Sequence, residues 1–181
     1  ADRSGHERAR GGVSLPVPQQ VIVVQDGRYR LEYEAPLPVE GWNAQLSLLT
    51  GMAAAAVMRE GRVGIFRVLP EARPQDLARL RRTAKALHIH WPETTSYADL
   101  IRSLDPAPAA HAAFLNQAAT LFRGAGYEAF DGGVPSRAGH AAIGAEYAHV
   151  TAPLRRLVDR YGLEVCAALV EGAEVPDWAR A

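Results

Sequence analysis

Lysine is nearly missing from this chain: Lys85 is the only one, and arginine supplies every other basic side chain. Net charge is missing as well. Twenty basic and twenty acidic residues cancel, so no global field draws the chain toward a polyanion or a membrane. Any anion site must then be a local arrangement of arginines. Arginine's planar fork suits bidentate phosphate contacts, but a GC-rich genome gives the same bias without functional meaning, and composition alone favours that second explanation. Cysteine is limited to Cys166. That excludes an intrachain disulfide framework and fits a reducing, cytoplasmic setting. No apolar run approaches bilayer-spanning length, and the polar stretch 1–12 is no signal peptide. The start at Ala1 rather than Met reads as processing, trimming or excision from something longer.

Acidic clusters are absent too. The eight aspartates are scattered, with no Asp-x-Asp or Asp-Asp pair, whereas magnesium-dependent phosphodiester hydrolysis needs several carboxylates converging on hard cations. No metal ligand is therefore assigned in this chain. His88-x-His90 has usable spacing but no obvious third ligand. Cys166 lies in an apolar helical stretch and reads as an inert buried thiol. Neither a G-x-S-x-G elbow nor a phosphate-binding glycine loop occurs.

What remains is an ordinary globular composition, 181 residues and 48% hydrophobic, enough for one compact domain. Residues 1–12, rich in Arg and Gly, read as a loop or ragged terminus. Alternation through Val13, Leu15 and Val17, the run Val21–Val24, the Asp26-Gly27 turn and the alternation of Tyr29, Leu31 and Tyr33 predict a β-hairpin, ended by Pro36 and Pro38. A helix is expected over 43–59 with Leu46, Leu49, Ala53 and Val57 on its core face, and Gly61 stops it. The run 63–69 is a strand or a connector. Pro74 and Asp76 open a second helix with Leu77, Leu80, Ala84 and Leu87 inward and Arg79, Arg81, Arg82 and Lys85 outward. That basic face reads as solvated rather than RNA-bound. Further helices are expected over 96–104, 109–123 and 153–170, with turn-rich chain and short strands over 127–144. The aromatics Tyr127 and Phe130 could stack on bases, but core packing is favoured. For the last helix, Thr151 stands at the N-cap, Pro153 in the first turn, and Leu154, Leu157, Val158, Tyr161, Val165 and Leu169 on the core side.

Chemistry concentrates in Tyr147-Ala148-His149-Val150-Thr151-Ala152-Pro153-Leu154-Arg155-Arg156. On this reading a polar loop feeds a helix N-terminus, where free N–H groups attract anions. Two arginines in a first turn are disfavoured by the helix dipole unless negative charge is near. Asp159 supplies it as an (i, i+4) partner of Arg155 on one reading; a bound phosphate supplies it on the other. Residue types divide evenly between the two.

The same segment, extended to Asp159, closely resembles the Tyr-Ala-His-Phe-Thr-Ser-Pro-Ile-Arg-Arg-Tyr-x-Asp signature of the ribonuclease II/R family of exoribonucleases, near the end of their RNB catalytic domain. Val39-Glu40-Gly41-Trp42-Asn43-Ala44-Gln45 resembles the family's acidic helix start, especially in an actinobacterial or Deinococcus-like branch. Arg10-Gly11-Gly12-Val13-Ser14-Leu15-Pro16 resembles the segment ahead of that helix. The three occur in family order and span essentially the whole chain. Ala152 replaces the usual Ser, Leu157 the usual Tyr, and Gly41 a second acid.

The resemblance implies an α+β fold, predominantly helical with a small antiparallel sheet, with residues 1–181 forming the C-terminal portion of an RNB domain. It implies 3′-to-5′ hydrolysis of single-stranded RNA to 5′-mononucleotides with magnesium. The metal ligands would lie on the domain's Asp-bearing N-terminal half, a separate or cleaved partner, so that this chain alone is inactive. Arg155 takes the place of the catalytic arginine at the scissile phosphate, stabilising charge that grows on the phosphoryl oxygens. His149, Thr151 and Arg156 would hold the RNA backbone, and Glu40 would contact the 3′-terminal ribose hydroxyls, a means of telling RNA from DNA. The rival expectation is a non-catalytic RNA-binding or scaffold module; a helical domain unrelated to RNA is the third.

Overall fold

The computed structural model describes residues 3–17, 19–34 and 37–180. Ala1 and Pro36, which entered the sequence reading, lie outside them, as does the side chain of Tyr33. In chain order the elements are α1 (Arg3–Ala9), β1 (Gln19–Gln25), β2 (Arg28–Glu34), α2 (Pro38–Gly61), β3 (Val63–Val68), α3 (Pro74–Ala86), α4 (Tyr97–Ser103) and α5 (Ala109–Ala118). A 3₁₀ turn (Ala119–Phe122), β4 (Gly126–Asp131), β5 (Gly139–His140), β6 (Ala145–Glu146), α6 (Leu157–Glu171) and a second 3₁₀ turn (Asp177–Ala179) complete the chain. The class is α+β, helices with three two-stranded antiparallel sheets: β1–β2, β3–β4 and β5–β6.

Local chemistry explains most of these elements. Asp26 and Gly27 both take positive φ, 51° and 70°, as the tight turn of a two-residue hairpin requires. Ile22 then faces Leu31, and Val24 faces Tyr29, across the ladder. Ser96 caps α4 by accepting from the Asp99 N–H at 3.1 Å. The C-cap of α6 is Gly172 at φ 69°, the left-handed residue that ends helices. Pro38 opens α2 earlier than the apolar pattern suggests, and the Glu40 carboxylate accepts from the Leu37 N–H at 2.7 Å, which satisfies a donor the helix leaves open.

The chain divides into two compact units that interleave in sequence. One comprises the chain up to Gly12, Asn43–Glu71 and everything from Gly124 onward; the other comprises Val13–Trp42 and Ala72–Arg123. The first has its core at Ala55, Met58, Phe66, Phe130 and Val165, with the Phe66 and Phe130 rings 4.6 Å apart. The second buries Leu80, Ala84, Ile101, Phe114 and Leu115, with Leu77 and Leu87 packed alongside as the α3 stripe predicts.

Four expectations need correction. Residues 3–9 are helical rather than loop, because Glu7 is buried and accepts from the Gln45 amide at 2.5 Å. The buried face of α2 is Gly51, Ala54, Ala55 and Met58; Leu46 is exposed. Small residues point inward because neighbouring chain approaches closely: a Cβ on Gly51 would sit 2.7 Å from the Ala148 carbonyl oxygen and collide with the Tyr147 ring. α6 starts at Leu157 with Arg156 at its N-cap, so neither Thr151 nor Pro153 belongs to its first turn. Leu154 and Leu157 are 101% and 66% exposed and do not face the core; Val165 is buried.

Candidate nucleic-acid interface

The signature segment belongs wholly to the first unit. It leaves β6, passes through Tyr147 and Ala148, both buried, and turns at residues 153–155 before α6. Two backbone bonds tie it down: the Arg67 N–H donates to the Tyr147 carbonyl at 2.7 Å, and the Ala148 N–H to the Gly51 carbonyl at 3.0 Å. Strand β3 and helix α2 therefore fix where the loop begins.

Asp159 fixes where it ends. Its carboxylate is fully buried on α6 and accepts three hydrogen bonds: from the Ala152 N–H at 2.7 Å, and from Arg156 Nε and a terminal guanidinium nitrogen at 2.7 and 2.8 Å. Burial works against ionisation of this acid, but the Arg156 and Ala152 hydrogen bonds outweigh it and hold the carboxyl below its usual range. The same bond raises the Arg156 guanidinium. The ion pair thus joins Asp159 to Arg156, at (i, i+3), and not to Arg155.

Arg155 is left exposed, and its guanidinium has no hydrogen bond or ion pair among the described residues. Thr151 is also exposed. His149 is half-buried beside Arg156 and Asp159, and its imidazole is pushed down to about 4 by burial and then by the Arg156 charge. At neutral pH it is therefore uncharged. Its Nδ1 lies 2.8 Å from the Tyr127 hydroxyl. A train of edge-on rings runs from His140 through Tyr147 and His149 to Tyr127, and the Arg67 guanidinium lies 4.7 Å over the Tyr127 ring. Arg67 and Tyr127 are directly opposed in the β3–β4 ladder.

The structure thus gathers His149 and Arg156 into one electrostatic cluster and leaves Arg155 free on the same loop. Glu40 belongs to the other unit, where its carboxylate is occupied with the α2 N-terminus. Arg67 and His140 escape the sequence reading. Tyr147 enters it only as the first residue of the signature segment, and Tyr127 only as an aromatic for which core packing is favoured over base stacking, whereas it is exposed. Arg67 carried no local signal, since its partner comes from a distant strand.

A cleft of about 1000 Å³ opens in the same unit, lined by Arg10, Arg59, Arg137, Glu71, Glu128 and His140 among others. Arg59 is already paired with Glu146, so the cleft carries mixed charge. On α3, Arg79 pairs with Asp76 and Arg81 covers the Trp91 ring at 4.3 Å. His88 and His90 are exposed. Cys166 is half-buried, its thiol pushed up by burial, as expected for an unreactive cysteine. Among the described residues no three His, Cys, Asp or Glu side chains group so as to hold a metal ion, and no helix is long and apolar enough to cross a membrane.

No protein-family model and no curated protein matches the chain. Solved structures do. RNase R of Mycoplasma genitalium, in its apo form and with ribose-methylated single-stranded RNA, superposes with a TM-score of 0.70 at 19% identity, covering 92% of this chain and 26% of that one. The same enzyme with double-stranded RNA gives 0.69 over 30% of its chain. Yeast Ssd1, described as a pseudonuclease, gives 0.60 at 18% identity, covering 75% of this chain and 17% of its own. The likeness establishes an RNase R-like fold, and the chain spans about a quarter of the RNase R chains it matches.

Proposed function

We propose that this chain is the C-terminal part of an RNB catalytic domain and contributes to 3′-to-5′ hydrolysis of single-stranded RNA to 5′-mononucleotides. The observation that carries the reading is Arg155: an unpartnered, exposed guanidinium on a loop braced from below by Asp159 and Arg156, in a fold shared with RNase R. A free guanidinium so held is suited to oppose charge growing on phosphoryl oxygens. His149 would donate a hydrogen bond to the RNA backbone, Thr151 would offer a hydroxyl, and the outer face of Arg156 would add positive charge. Glu40 would meet ribose hydroxyls of the 3′-terminal nucleotides.

Magnesium is the metal the reading implies, but the described carboxylates do not fit it. Its ligands are assigned to another segment, the Asp-bearing N-terminal half of the domain, and no step proposed for this chain passes through the metal. Exposed Leu154 and Leu157 supply an apolar surface for that half. A cytoplasmic location and an actinobacterial or Deinococcus-like origin belong to the same proposal, resting on the lone cysteine and on the start of α2.

The test is Arg155→Ala in the enzyme assembled with its Asp-bearing half. RNA laddering should fall on the order of a thousandfold or more, by analogy with arginine fingers, while RNA binding largely persists. Unchanged laddering would sink the assignment. A second reading, a non-catalytic RNA-binding or scaffold module, is supported by the likeness to a pseudonuclease. Salt-sensitive binding of single-stranded RNA without turnover by the assembled protein in magnesium would favour it.

A further inference from the structure

A neutral imidazole offers one nitrogen as donor and the other as acceptor, and its hydrogen-bond partners decide which is which. At His149 the decision falls on Nδ1, which lies 2.8 Å from the phenolic oxygen of Tyr127. The two rings meet edge to face, centroids 5.7 Å apart and planes at 66°. Nε2 has no hydrogen-bond partner among the described residues.

Two tautomers satisfy this contact. Either the Tyr127 hydroxyl donates to a bare Nδ1 and the ring proton sits on Nε2, or Nδ1–H donates to the phenolic oxygen and Nε2 is bare. The first pairs the better donor with the better acceptor, because a phenol's lone pair is drawn into its ring while imidazole nitrogen is a good base. Arg67 reinforces the choice. Its guanidinium covers the Tyr127 ring at 4.7 Å, and a cation there stabilises negative charge on the phenol, which strengthens the O–H as a donor. Tyr127 itself is 43% exposed, so its placement owes more to Arg67 and His149 than to the core.

We infer that Tyr127 is a positioning residue whose hydroxyl holds His149 as the Nε2–H tautomer, so that this imidazole meets an RNA phosphate oxygen as an uncharged hydrogen-bond donor. The recognition half rests on the RNA reading above; the tautomer half stands apart from it. Burial and Arg156 keep the ring neutral down to about pH 4. The donor therefore works unchanged across the neutral range and, carrying no charge, releases no counterion on binding.

Long-range ¹H–¹⁵N correlation spectra of the full-length chain test the inference, with His149 assigned against His149→Gln. The expected spectrum has a protonated Nε2 and a bare Nδ1, and Tyr127→Phe converts it to a mixture of tautomers. A protonated Nδ1 in the unmodified chain, or an unaltered Nε2–H form in Tyr127→Phe, overturns the positioning role. Fluorescein-labelled oligoadenylate, offered to the chain assembled with its Asp-bearing half, then tests recognition. Tyr127→Phe should weaken binding about threefold to tenfold, the worth of one neutral hydrogen bond, with the salt slope unchanged. If the unmodified chain binds and Tyr127→Phe binds equally well, the recognition half is wrong. If the unmodified chain fails to bind at low salt, the RNA reading and the recognition half fall together, and the tautomer assignment is decided by the spectra alone.

Discussion

Arg156 and Asp159 form a two-pronged ion pair across a single turn, with the carboxylate fully buried and the guanidinium partly open to solvent. Asp159 also accepts from the backbone of Ala152, so one acid closes both the side-chain pair and the loop it subtends.

Replacing Asp159 by Ala should therefore be costly. It leaves Arg156 without its counter-charge and the Ala152 N–H without an acceptor, and breaking such a pair from one side costs about 3 kcal/mol. Urea unfolding of the two proteins side by side measures the difference.

The same acid sets a pH dependence. Its folded pKa is lowered, so the stability it contributes is present above the ordinary carboxylate range and is lost as pH falls through the lowered folded value. The stability gap between the unmodified chain and Asp159→Asn should be constant near neutrality and narrow below about pH 4. A gap that widens on acidification would mean the shift has the opposite sign.

The adjacent arginines should behave oppositely. Arg155 has no partner among the described residues, so Arg155→Ala should change stability by less than about 0.5 kcal/mol. Arg156→Ala strands the buried Asp159 charge and should lose about 3 kcal/mol. Matched thermal melts separate the two, and equal losses would contradict the pairing.

Gly51→Ala reverses the usual rule for helices. In an open helix that exchange gains about 1 kcal/mol. Here the added methyl meets the Tyr147 ring and the Ala148 carbonyl, so a loss of about 1–3 kcal/mol is expected, read as a lowered melting temperature.

How much of this was legible depended on the range of the interaction involved. The β1–β2 hairpin was written in the apolar run Val21–Val24, the Asp26-Gly27 turn and the alternation of Tyr29, Leu31 and Tyr33, and α3 in the spacing of Leu77, Leu80, Ala84 and Leu87; both are local. The inner face of α2 was misread because large apolar residues suggest burial, whereas the approach of Tyr147 and Ala148 selects Gly51 instead. The start of α6 was misread because Thr151 and Pro153 are plausible helix openers, and nothing local announces that Asp159 will claim the Ala152 N–H and delay the helix until Leu157. In the site, the segment around Arg155 was visible as a motif. Its supports were not, since Arg67 and Tyr127 meet only through strand pairing.

That pairing has a temporal consequence. β3 and β4 are separated in the chain by all of α3, α4 and α5, so their ladder must close a long loop, while those helices draw on near neighbours in sequence. Hydrogen-exchange pulses during refolding should find the α3–α5 amides protected first and those of β3 and β4 last. His149 would then acquire its tyrosine partner only at the end of folding, after the helices α3–α5 are in place.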